Sequence, residues 1–101
     1  MRFILHASLP AEKFNRSLIE GRAGQIIRRI LEETKPEAAY FCTKDGKRSS
    51  FLIINMEKAC DIPKYAEPWF LNFDATVEFL PAMNSDDLQK AGLEEIAKKW
   101  R

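Results

Sequence analysis

The segment from Met1 to Leu9 is apolar on both of the faces between which a strand alternates. Phe3, Leu5, Ala7 and Leu9 share one side, and Ile4, His6 and Ser8 share the other. Three further stretches, Ala38 to Thr43, Ser50 to Met56 and Ala75 to Pro81, repeat the pattern, and in each the second face mixes apolar residues with a few polar ones. A small antiparallel sheet backed by helices on one side turns a polar face to water. A second apolar face therefore calls for a partner chain or a ligand cavity, and both are expected here.

The 101 residues fit one domain spanning 1–101, and a hydrophobic fraction of 46% with 31% charged residues is ordinary globular composition rather than disorder. With a net charge of +1, the chain carries no field that would draw it to nucleic acid or an anionic membrane. Arg22, Arg28 and Arg29 lie on a helix that ends in Glu32 and Glu33, which reads as a solvated face. The start of the chain lacks a signal-peptide core, and no apolar run approaches the roughly 20 residues of a membrane span, so a cytoplasmic location and no membrane partner are expected. Cys42 and Cys60 show neither CxxC spacing nor clustered histidines. They are expected to be buried, reduced thiols, with no metal and no cofactor.

Pro10 ends the first strand and opens a helix at Ala11, where its missing donor costs little. Leu18, Ile19, Ala23, Ile26, Ile27, Ile30 and Leu31 then recur at helical spacing, with a break expected near Gly21. Lys35 and Pro36 stop that helix. Asp45 and Gly46 supply a tight hairpin turn between Ala38–Thr43 and Ser50–Met56. A short helix over Glu57–Ala66 follows, limited by Pro63, and the apolar segment Pro68 to Leu71 leads into the fourth strand. Asn84 or Ser85 caps a last helix that Gly92 interrupts, with Leu88, Leu93, Ile96, Ala97 and Trp100 expected to face inward.

Strand, helix, strand, strand, helix, strand, helix is the order of an α+β, ferredoxin-like βαββαβ antiparallel sheet with a C-terminal helix. With that order, and with the stretch from Ala66 through Pro68, Trp69 and Phe70 to Val77, Glu78, Phe79 and Pro81, the chain resembles the dimeric α+β barrel superfamily, especially its muconolactone-isomerase-like and small bacterial members. The resemblance implies a homodimer in which two sheets pack face to face. It also implies isomerase-like or cofactor-free monooxygenase-like chemistry as a class, while no catalytic motif of the family transfers residue by residue.

If helices cover Phe3, Leu5, Leu52, Ile54, Val77 and Phe79, the other face presents Ile4, His6, Tyr40, Phe51, Asn55 and Glu78, a mixture suited to a small-molecule pocket. With the first strand between the third and fourth, His6 is expected beside Asn55 and Glu78. His6, the only histidine, and Glu78 are the candidate catalytic acid and base. The alternative is a histidine that only hydrogen-bonds at the dimer seam. Ile4, Tyr40, Phe51, Asn55 and Trp69 are the candidate ligand contacts, Trp69 as part of an aromatic gate with Phe70 and Phe73 unless these complete the core.

Two functions compete. One is proton transfer on a hydrophobic carbonyl or lactone-like substrate, and the other is a non-catalytic ligand-binding or structural homodimer. RNA recognition is disfavoured, because Lys47, Arg48, Ser49, Ser50 and Phe51 lack the paired aromatics and glycine that such sheets need.

Overall fold

In the computed structural model, which describes residues 1–101, β1 (Arg2–Leu9) runs up to Pro10, and α1 (Ala11–Ile19) starts directly after it. Gly21, at φ +77°, makes the expected break before α2 (Ala23–Thr34). Lys35 closes α2 at φ 44°, its N–H bonded to the Leu31 carbonyl, and Pro36 blocks continuation. β2 (Ala38–Lys44) and β3 (Lys47–Asn55) are joined by Asp45 and Gly46, with φ of 55° and 74°. This two-residue turn pairs Lys44 directly with Lys47, which is why β3 begins before Ser50. After a single 3-10 turn at Ala59–Asp61 come α3 (Ile62–Phe73) and β4 (Thr76–Pro81), and the chain ends in α4 (Ser85–Lys90) and α5 (Leu93–Lys99).

The fold is α+β. Its four strands form one antiparallel sheet in the order β2-β3-β1-β4. One face of that sheet carries Leu5, Leu52 and Ile54, which are fully buried against Trp69 and Phe73 of α3 and close to Phe14 of α1 and Ile30 of α2. Helices therefore cover one side only, and the other side, with Ile4, Phe51 and Ile53 half-buried and Tyr40 and Leu80 exposed, is left open.

Three expectations are corrected. The helix expected to end at Ala66 continues through Pro68 to Phe73. Pro68 has no N–H to offer the carbonyl one turn back, but Tyr65, Ala66, Trp69 and Phe73 all bury on the same side, and that packing outweighs the lost bond. Asn72 further holds the turn by donating from Nδ2 to the Pro68 carbonyl at 2.7 Å.

The last helix does not face inward. Gly92 at φ 70° splits it in two, no residue of either half is buried, and Leu88, Leu93, Ile96, Ala97 and Trp100 are all exposed, Trp100 by 85%. The helix-covered side of the sheet is already filled by α1, α2 and α3, so the apolar stripe of α4 and α5 projects as an arm. Its root is fixed by the Asn84–Asp87 capping box and by Arg2 Nη1 on Asp87 Oδ2 at 3.4 Å. The radius of gyration is accordingly 16.8 Å, where a compact domain of this length gives about 13 Å.

The thiols are not buried either. Cys42 lies on edge strand β2 and Cys60 on the 3-10 turn, and both are exposed.

Candidate functional site

The open face is organised by strand register. Tyr40 pairs with Phe51, Phe51 with His6, and His6 with Glu78, so four side chains stand in one row across all four strands. β1 lies between β3 and β4, which brings His6 and Glu78 side by side from positions 72 residues apart. His6 Nδ1 is 3.2 Å from Glu78 Oε1. The imidazole also stacks on the Phe51 ring, with centroids 4.4 Å apart and planes 9° from parallel. His6 is 8% exposed, whereas the Glu78 side chain is 66% exposed.

An ionised carboxylate only accepts hydrogen bonds, so the neutral imidazole donates from Nδ1 to Glu78, and its lone pair sits on Nε2. That Nε2 is buried and has no hydrogen-bond partner. A buried polar atom left unpaired costs about 1–3 kcal/mol, and a ligand or second surface that supplies a donor recovers that cost once the side chains over the nitrogen part. The arrangement is a histidine locked in rotation, oriented by a carboxylate, with its basic nitrogen unused.

No protein-family model matches the chain, and no curated protein matches it. The site is therefore read from its own geometry.

Of the candidate ligand contacts, Phe51 and Tyr40 complete the row, and Ile4 stands between Ile53 and Leu80 on the same face, one pair along. Asn55 is not beside His6. The β1–β3 register places it opposite Arg2, four residues further along, or about 13 Å away at strand rise. Its Oδ1 instead accepts from the Met1 ammonium at 2.7 Å. Trp69 is on the wrong side of the sheet for a gate. It is fully buried in the helix-covered core beside Phe73, while Phe70 points outward from α3 at 39% exposure. Arg48 is half-buried, with its guanidinium 4.7 Å over the Phe14 ring and donating to Asn15 Oδ1 at 2.7 Å.

The open face holds one further residue that sequence reasoning missed. Ser49 pairs with Ser8, shares a face with Phe51 two positions along β3, and keeps a buried hydroxyl without a partner. The only signal for it was its place in the alternation. A hollow of about 450 Å³ lies away from this face, between α2 and α3, lined by Ile26, Ile30, Pro68 and Leu71 among others. A second hollow of about 410 Å³ opens at the sheet end around Arg2, Asn55 and Asp87. Enclosing the His6 row takes a second surface over the sheet. No three acids, cysteines or histidines gather as a metal site, and no helix is long and apolar enough to cross a membrane.

Proposed function

We propose that the open face is the working surface of a ferredoxin-like, dimeric α+β barrel. In this reading two copies pack sheet to sheet, in the manner of the muconolactone-isomerase-like proteins, and enclose an apolar cavity for a hydrophobic small molecule. His6 Nε2 takes a proton from the carbon next to a carbonyl or lactone group and returns it elsewhere on the same substrate, without a cofactor. Glu78 keeps the imidazole in the tautomer that leaves Nε2 basic and stabilises the imidazolium that forms. Apolar neighbours exclude water, which strengthens that electrostatic pairing. The observation that carries the reading is the buried, partnerless Nε2 of a histidine held at Nδ1 by a carboxylate on an uncovered apolar face.

The second reading is a homodimer that binds a ligand or serves structurally, with Nε2 accepting a hydrogen bond and no chemistry following. The main hollows of a single protomer lie away from His6, which favours it.

Proton exchange separates the two even while the substrate is unidentified. A panel of hydrophobic enolisable ketones and lactones is incubated in deuterated buffer, and deuterium incorporation is followed by NMR. Exchange above buffer that is lost in His6→Gln supports the enzyme. Saturable binding without exchange supports the second reading, and neither binding nor exchange across the panel removes the pocket altogether.

A further inference from the structure

We infer that the second copy lies across the open face on a two-fold axis running along the strands, so that the partner's Tyr40 meets Glu78 and completes the His6 site. This rests on the homodimer just proposed and specifies its geometry. Face-to-face sheets pack either aligned, with strands within about 30° of one another, or orthogonally; in the aligned class, taken here, the axis relating two identical faces runs either along the strands or across them.

An axis across the strands, placed for full overlap, lays each strand over its own copy. The row that spans the middle of the sheet then puts Glu78 over Glu78 and His6 over His6, bringing like charges together as water is excluded. An axis along the strands, placed between β1 and β3 for full overlap, exchanges the two edges. β4 then lies over the partner's β2, and β1 over the partner's β3. Such a rotation leaves position along the strand unchanged, so the row Tyr40, Phe51, His6, Glu78 falls on the same row reversed. Glu78 receives a phenol, which donates to the carboxylate oxygen that His6 does not use, and His6 receives an aromatic face. Both partners of the new bond stand free, with Tyr40 65% exposed and the Glu78 side chain 66% exposed.

Area points the same way. Four strands of six to nine residues cover roughly 19 by 25 Å, or about 950 Å² for the two faces together, which is short of the roughly 1,200 Å² of the smaller stable interfaces. The arm supplies the rest. It leaves the end of β4, the strand that this axis sets against the partner's β2, and on that edge strand Phe41 is 51% exposed for want of a covering helix.

Sedimentation velocity on the full chain tests the axis through Tyr40→Phe, Glu78→Gln and the double variant, with circular dichroism confirming that each folds. Within one chain Tyr40 and Glu78 are three strands apart, about 14 Å at standard spacing, so they make no direct contact there, and the direct coupling that the double variant reads arises across the interface. Each single change is expected to weaken the dimer by roughly tenfold or more, as for loss of two symmetric charge-assisted hydrogen bonds, and the double variant to be no weaker than either. A dimer that Glu78→Gln tightens, or in which the two changes act additively, overturns the axis and leaves the homodimer standing. A chain that stays monomeric at all concentrations overturns both.

Discussion

Alternation and strand order put both Glu78 and Asn55 on the face of His6 and on strands beside it, but not at a fixed distance from it. That distance is a matter of register, a long-range quantity that side-chain pattern fixes only to within steps of two residues, and it sets Glu78 opposite His6 while it takes Asn55 four residues along. The pairing has a direct consequence for protonation sites. In the neutral imidazole the carboxylate selects the Nδ1–H form, and Glu78→Ala removes the selection. Nitrogen-15 spectra of the single histidine should show Nδ1–H dominant in the wild type and a shift toward Nε2–H in the variant; an unchanged tautomer ratio would mean that the 3.2 Å contact does not orient the ring.

A second residue-scale effect lies at the hairpin turn, where the Lys44 hydrogen bond, and then its charge, hold the Asp45 carboxyl below its ordinary value of 3.8. The same contact raises the Lys44 ammonium above 10.5. The carboxylate's contribution is present above 3.8 and fades as pH falls through the depressed value, while the ammonium's is present below 10.5 and fades as pH rises through the elevated one. Protection of the turn amides, read as exchange relative to the intrinsic rate at each pH, is therefore expected to be highest between those limits, and Asp45→Asn should flatten that profile.

At the scale of elements, short-range chemistry was the reliable guide. The Asp45–Gly46 turn, the break at Gly21 and the Asn84 cap each follow from one or two residues, and each formed where expected. Gly46 sits at φ 74° with open space where a Cβ would stand, so Gly46→Ala should cost only backbone strain, about 1–2 kcal/mol, read as a lower urea midpoint with an unchanged slope. Pro68 shows where such reasoning fails. A proline argues locally for a helix end, yet four core side chains on one stripe carry α3 past it, and the sequence around Pro68 does not show how much they bury. If packing holds the helix against the missing donor, Pro68→Ala restores a backbone bond that nothing replaced. An interior proline costs about 3 kcal/mol, and the looser unfolded chain returns up to ~1 kcal/mol of the gain, so a net stabilisation of about 2 kcal/mol is expected. A midpoint that falls instead would show that Pro68 is needed at the α2–α3 groove it lines.

For the whole molecule, the sequence pattern said that α4 and α5 have an apolar side but not what would cover it. Periodicity describes a stripe, and its partner is a separate fact. The stripe lies uncovered along a molecule 59 Å in its longest dimension. Helices of six and seven residues are too short to persist unaided in water, where about 12–15 residues are needed even for good helix formers. If the proposed dimer covers the arm, burial against the second copy should reinforce its helical form, and the two should change together. Trp100 reports on this directly. The other tryptophan, Trp69, is fully buried in the core and contributes a constant, unquenched background that Trp100→Phe isolates. In dilute solution acrylamide should quench Trp100 as it quenches free indole. As concentration rises through the dimer dissociation constant, quenching should fall and helical ellipticity grow with the same midpoint, since anything that binds only the ordered form shifts the arm toward it by mass action. If the dimer forms and Trp100 stays as accessible as in the monomer, the arm does not close the assembly, and the small sheet interface must hold it alone.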